Sequence, residues 1–245
     1  MAMLDNEERR SCDALNELVT YGLLERQDDR WQISHALVHT YARTELALSK
    51  ESLDRLASWY INFSETASEE GVKGYARLDA ERAHCLRLID ICLTSKLWQN
   101  VKLLVRIIDI YLEMQGYWVE ELAALEMSLM AARQAGDRDN ERWCLNVIGC
   151  IYDNIGDCEQ ALAWYEQSLM IARELSNKNG ENSTLNNIAL IYQQQGKHND
   201  ALRQYEQSLF IAQEIGDRAG EGRTLDIISI LLLQNFAINV ISCFD

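Results

Sequence analysis

Seven cysteines, four histidines and 38 carboxylates are the side chains that could hold a metal, exchange electrons or move a proton. Their spacing argues for none of these. Cys12, Cys85, Cys92, Cys144, Cys150, Cys158 and Cys243 are odd in number and include no C-x-x-C, and His35, His39, His84 and His198 are scattered. Zinc sites need closely paired ligands, and a disulfide framework needs an even set of thiols. The cysteines are therefore expected to be small apolar residues in a reducing compartment, which points to the cytoplasm. No nucleophile stands beside a base, and no G-x-x-x-x-G-K-[ST] phosphate loop occurs. The acids fit solvated helix faces. The expectation is a protein that is not an enzyme and carries no cofactor and no metal.

What the chain does provide is helix. It has no proline, 48% apolar and 25% charged residues, a pattern of soluble globular chains with long uninterrupted helices. Its net charge of 23 − 38 = −15 argues against nucleic acid and anionic membrane, since binding phosphate needs excess Lys and Arg. The first twenty residues carry Asp5, Glu7, Glu8 and Asp13 and no signal-peptide run. The most apolar stretch, Leu225 to Phe244, is interrupted by Asp226, Ser229, Gln234, Asn235, Asn239 and Ser242, too polar to span a membrane alone.

The strongest signal is internal. Residues 137–176 shifted by 40 overlay 177–216 with 17 identities, among them Leu145/185, Asn146/186, Ile148/188, Tyr152/192, Gly156/196, Ala161/201, Tyr165/205, Ser168/208 and Ala172/212. A fixed period of this size marks stacked repeats. Each unit reads as two helices. Leu185, Ile188, Ala189 and Tyr192 fall on one helical face. Gly196 stops that helix, and a second runs from about Asn199 to Ile215 with Ala201, Leu202, Tyr205, Ser208, Leu209 and Ala212 inward. Small Ala201 lets the pair approach. Gly216 closes the unit, and Asp217 is placed to cap the next helix; Asp137 and Asn177 stand at the same place.

Gly149-x-x-Tyr152-x-x-x-Gly156-Asp157 followed by Ala161-x-x-x-Tyr165-x-x-Ser168-Leu169 resembles the tetratricopeptide repeat (TPR). The 40-residue period resembles the long variant of kinesin light chains and bacterial signalling ATPases; Arg173 and Gln213 stand where the usual Pro would be. The resemblance implies an all-α, right-handed solenoid of antiparallel helix pairs, whose inner wall is built by first helices and holds a partner peptide or helix. By that alignment the wall comprises Trp143, Asn146, Cys150, Asp153 and Asn154, then Ser183, Asn186, Asn187, Leu190, Gln193 and Gln194. Amides there either bond a peptide backbone without fixing its sequence or are simply solvated. Asn146 and Cys150 replace the Lys-Asn pair of the chaperone carboxylate clamp, so a C-terminal EEVD ligand is not expected.

Residues 1–48 do not follow the period. Asn6–Tyr21 reads as a helix, Leu23–Arg26 and Arg30–Ser34 as two strands about a turn at Gln27–Asp29, and Ala36–Leu48 as a helix. This small segment with a two-stranded wing is similar to the winged-helix module of STAND-class, NB-ARC-like NTPases. Ile33-Ser34-His35-Ala36-Leu37-Val38-x-x-Tyr41-Ala42 matches the motif in which a His senses the ADP phosphates, although Ala36 replaces the usual Asp or Pro. The resemblance implies His35 as nucleotide sensor, and an NTPase domain in the same or a neighbouring chain. A DNA-binding regulator is the alternative that a winged helix raises, but helix 36–48 offers Arg43 against Glu45.

The expected organisation is a winged-helix-like segment at 1–48, connecting helices at 49–95 and a degenerate repeat at 96–136. Two repeats follow at 137–176 and 177–216, then a partial repeat or cap at 217–245. Its pattern fades after Leu232, with Phe236 in place of Gly. That apolar end packs over the last repeat, mediates self-association through 225–245, or belongs to an array with a further repeat. The expected function is a protein-interaction scaffold, the sensor or regulatory arm of a signalling NTPase.

Overall fold

A left-handed backbone residue recurs every twenty positions: Lys96, Gly116, Gly136, Gly156, Ser176, Gly196 and Gly216 have φ between 53° and 85°. Each ends one helix and turns the chain into the next. A computed structural model describes residues 24–27, 30–33 and 49–241, with side chains over 49–233. The chain divides into two compact units, Met1–Leu53 and Asp54–Asp245.

In the first unit, β1 (Leu24–Gln27) and β2 (Arg30–Ile33) form an antiparallel hairpin in the register Leu24↔Ile33 to Gln27↔Arg30. Gln27 thus belongs to the strand, not to the turn expected from sequence. The expected helices 6–21 and 36–48, and His35 between hairpin and helix, lie outside the described residues, and so does the winged-helix reading.

The helices are α1 (Lys50–Glu69), α2 (Val72–Thr94), α3 (Trp98–Gln115), α4 (Trp118–Ala135), α5 (Arg138–Asn154), α6 (Cys158–Glu174), α7 (Lys178–Gln194), α8 (His198–Ile215) and α9 (Arg218–Ile241). From α2 onward each packs on its chain neighbours, and beyond these α2 reaches α4 and α5 reaches α7. Contacts confined to near neighbours define a solenoid. The second unit is an all-α solenoid of antiparallel helix pairs. α2 begins at Val72, directly after α1, because Gly71 at φ 62° lets the chain reverse at once. Gly74 then sits against α1, where a Cβ would lie 1.6 Å from the Ala67 carbonyl oxygen.

Caps repeat with the same period. The side chains of Asp137, Asp157, Asn177 and Asp217 accept from the backbone N–H of Asn140, Gln160, Gly180 and Gly220 at 2.9–3.1 Å. Each such cap is worth about 1 kcal/mol. Leu145, Leu185, Ile148 and Ile188 are buried between paired helices, each contributing about 1.5–3 kcal/mol. Charges also run in register. Arg133, Arg173 and Gln213 reach Glu141, Glu181 and Glu221 at 2.9–3.0 Å, and Arg138 and Lys178 reach Glu174 and Glu214 in the following second helix.

α9 continues unbroken past Phe236, where the repeat would have turned. Leu231 packs with Ala189, Ala201 and Tyr205, while Leu225, Ile230, Leu232 and Leu233 are exposed. Among the described residues no helix is long and apolar enough to cross a membrane.

Candidate functional site

Helix periodicity and a 40-residue repeat place residues 146, 186 and their neighbours on one face, and the structure shows what they do there. The Asn146 carboxamide oxygen lies 3.0 Å from Thr184 Oγ1 and 3.4 Å from Asn187 Nδ2, so it ties α5 to α7. Asn187 Nδ2 also lies 3.6 Å from Cys150 Sγ. Ser208, buried on α8, contacts the Oδ1 atoms of both Asn182 and Asn186. A hydroxyl has one proton, so it donates to one amide oxygen and accepts from the NH2 of the other amide. Gln193 accepts from the Tyr205 hydroxyl at 3.2 Å. Several of the wall amides thus stitch α5 to α7 and α7 to α8.

The remaining wall residues vary in exposure. Trp143 is half-buried, with the Arg106 guanidinium 4.7 Å above its ring. Burial raises the Asp153 carboxyl above its ordinary range, and a hydrogen bond from Gln194 partly offsets this. Asn154, Ser183 and Gln194 are exposed, and Leu190 is 42% exposed.

A cavity of about 300 Å³ gathers Asn182, Asn186, Asn187, Leu190 and Tyr205 with Asp217, Gly220, Arg223, Thr224 and Ile227. It brings three of the expected wall residues, Asn186, Asn187 and Leu190, against the first turns of α9. It does not include Trp143, Asn146, Asp153, Asn154, Gln193 or Gln194. Asn182, Asp217, Arg223, Thr224 and Ile227 were missed, although the signal was present: the period that relates Trp143 to Ser183 continues to Arg223, and Asn187 continues to Ile227. Arg223 is exposed and makes no ion pair among the described residues, and the apolar flanks are Leu190 and Ile227. The cavity therefore offers amide donors and acceptors, one cation and an apolar edge.

A larger hollow of about 460 Å³ lies over Lys178, Glu181, Arg203, Glu206, Gln207, Phe210 and Ile211. Its cations are already engaged, Lys178 with Glu214 at 3.3 Å and Arg203 with Asp200 at 3.6 Å. Elsewhere, burial pushes the Cys85 and Cys92 thiols up to about 11 and that of Cys144 to about 12. Such thiols stay protonated and unreactive near neutrality. Among the described residues no cluster of three or more His, Cys, Asp or Glu is placed to hold a metal.

Comparison with known families agrees with this architecture. Residues 142–180 and 180–235 each match a tetratricopeptide repeat family. The stretch 142–235 therefore consists of tetratricopeptide repeats, one helix pair after another with α9 opening the next. Among solved structures, the chain is similar to BtubC (BKLC) from P. vanneervenii, at 14% identity over 77% of this chain and 92% of that one, with a TM-score of 0.45. It is also similar to a Signal Transduction ATPase with Numerous Domains (STAND) protein with a tetratricopeptide repeat sensor from Pyrococcus horikoshii. That match has 16% identity over 89% of this chain, a TM-score of 0.43, and spans 48% of the STAND protein's length. No curated protein matches the sequence.

Proposed function

We propose that this chain is a protein-interaction scaffold that holds a partner segment in the cavity between α7, α8 and α9. One observation carries the reading: Asn186, Asn187 and the exposed Arg223 converge beside the apolar Leu190 and Ile227. Carboxamides can meet a peptide backbone as donor or acceptor, Arg223 takes a carbonyl or carboxylate, and the apolar edge receives a side chain. Asn146, Gln193 and Gln194 extend the same wall, and Trp143, Asp153 and Asn154 continue it along α5. Tetratricopeptide repeats at 142–235 support protein partners in general.

The repeat unit on this reading begins near Lys96, because the left-handed positions at Lys96, Gly116 and Gly136 keep the spacing of those downstream. The arm reading rests on sequence: residues 1–48 resemble the STAND winged-helix module, with its sensor motif at 33–42, and the 40-residue repeat resembles that of bacterial signalling ATPases, which makes the array the sensing arm of a nucleotide-switched protein, with His35 toward nucleotide.

The test is selection of random peptides displayed on phage against the full chain, followed by calorimetric titration of the enriched sequences. Binding to wild type with at least a tenfold loss in Arg223→Ala and in Leu190→Ser, at unchanged circular dichroism, is the expected result. Peptides that bind all three proteins equally, or no enrichment at all, would overturn the site.

A further inference from the structure

The first helices of the two downstream repeats carry Gly149 and Ala189 where α3 carries Asp109, and the second helices carry Ala161 and Ala201 where α4 carries Glu121. These are the small residues through which paired helices approach. Ala161, Ala189 and Ala201 are fully buried, and a Cβ on Gly149 would come within 2.6 Å of the Tyr165 ring. In the α3–α4 pair both positions hold a carboxylate instead. Glu121 is 2% exposed, and Glu121 Oε2 and Asp109 Oδ1 are buried with no hydrogen-bond partner among the described residues. An ionised carboxylate in that setting is costly, so the group neutralises by taking up a proton.

We propose that the α3–α4 pair is a proton-dependent joint, closed while Asp109 and Glu121 are neutral acids and loosened when they ionise. The surroundings bear on this from every packed side. On α3, Glu113 adds a further negative charge against both acids, and Arg106 alone draws Asp109 the other way. Arg106 is shared, however, since it donates to Asn140 at 3.0 Å and lies 3.6 Å from Asp139. From α5, Cys144 and Cys150 face Asp109 as thiols that burial keeps protonated. From α2, Arg82 is engaged by Asp79 at 3.1 Å and by Glu120 at 3.9 Å, and Asp79 also accepts from the hydroxyls of Tyr111 and Tyr117. Among the described residues none offsets the charge on Glu121.

Burial first, then the neighbouring acids, push Asp109 to about 7 and Glu121 to about 8. An acid whose folded value lies above its unfolded one binds its proton more tightly in the folded state. No charging penalty therefore opposes folding below the unfolded carboxylate range, and stability falls as pH rises from there up to about 7 and 8. Past those values the folded pair itself is ionised. Arg106, which stacks on Trp143 and bonds α5, is carried by α3. Opening the joint releases that strap and frees the wall at Trp143.

The experiment is amide hydrogen exchange on the full chain at about pH 6 and about pH 8.5, corrected for intrinsic rates, comparing wild type with Asp109→Ala/Glu121→Ala. In wild type, exchange across 98–135 should rise at least tenfold on going to the higher pH, while 178–215 stays unchanged. The double variant should show no such rise. Should that variant not fold, Glu121→Gln carries the same comparison, because it keeps the volume and cannot ionise. Equal rises in wild type and variant, or a rise spread evenly over 178–215, would overturn the joint. So would carbon-detected titration of the wild-type acids with no carboxyl above the ordinary range.

Discussion

At Gly149 a hydrogen atom stands where Ala189 carries a methyl, and the difference is set by the tyrosine opposite. A Cβ at 149 would meet Cδ1 and Cε1 of Tyr165 at 2.6 Å, and that ring is buried and aromatic, so relief needs helix or ring displacement. At the next repeat Ala189 and Tyr205 are both buried, which shows that the pair can seat a methyl once the ring has moved. Gly149→Ala is therefore expected to cost about 1–2 kcal/mol, toward the lower part of the range for overpacking, measured by urea unfolding with an unchanged slope. An unaltered midpoint would mean that the Tyr165 ring moves freely. The wall amides teach a similar lesson. Sequence alignment identifies Asn146 and Asn186 as groove residues, yet Asn146 bonds Thr184 and Asn186 bonds Ser208. Part of their chemistry is spent within the solenoid, and Arg223 is the more accessible polar group in the cavity.

Helix ends show how tightly the twenty-residue spacing is enforced. Five of the seven left-handed positions from Lys96 to Gly216 are glycine, whereas Ser176 at φ 53° and Lys96 at φ 59° are not. A residue with a Cβ loses roughly 1–2 kcal/mol there, which glycine avoids, while the extra freedom of glycine in the unfolded chain takes back about 0.4–1 kcal/mol. Ser176→Gly should raise the stability of the chain by about 0.5 kcal/mol, visible as a small upward shift of the thermal midpoint. A decrease would show that the Ser176 side chain contributes something that backbone strain does not capture. The glycines were visible in the sequence as punctuation. Lys96 and Ser176 were legible only through the period, because nothing in a lysine or serine favours this conformation.

Over the whole solenoid, contacts restricted to near neighbours make stability a sum of local terms. Ser208 is a test of that locality. It is buried on α8 and joins Asn182 and Asn186 of α7, so Ser208→Ala leaves two amides without their partner, at a cost of about 1–3 kcal/mol. Hydrogen exchange should quicken through α7, α8 and α9 and remain at wild-type rates in α3 and α4. Faster exchange over all of 98–215 would show a single cooperative unit instead.

The sequence by itself determined the repeat, its period and its helix ends, since these depend on local chemistry: glycine at the left-handed turns, Asp or Asn at the caps, and apolar residues three and four apart. It also identified the face that carries the amides, because helical periodicity assigns faces without any knowledge of neighbours. Only the tertiary structure decided which amides are bonded across helices, that Arg223 and Ile227 close the cavity, and that α9 runs on past Phe236. It alone revealed the buried Glu121 and the half-buried Asp109, each with a buried carboxylate oxygen that has no hydrogen-bond partner among the described residues. In the sequence they are two of 38 carboxylates on helices that look solvated. Burial depends on what packs opposite a residue, and here that is set by stacking between helices, which no local pattern records.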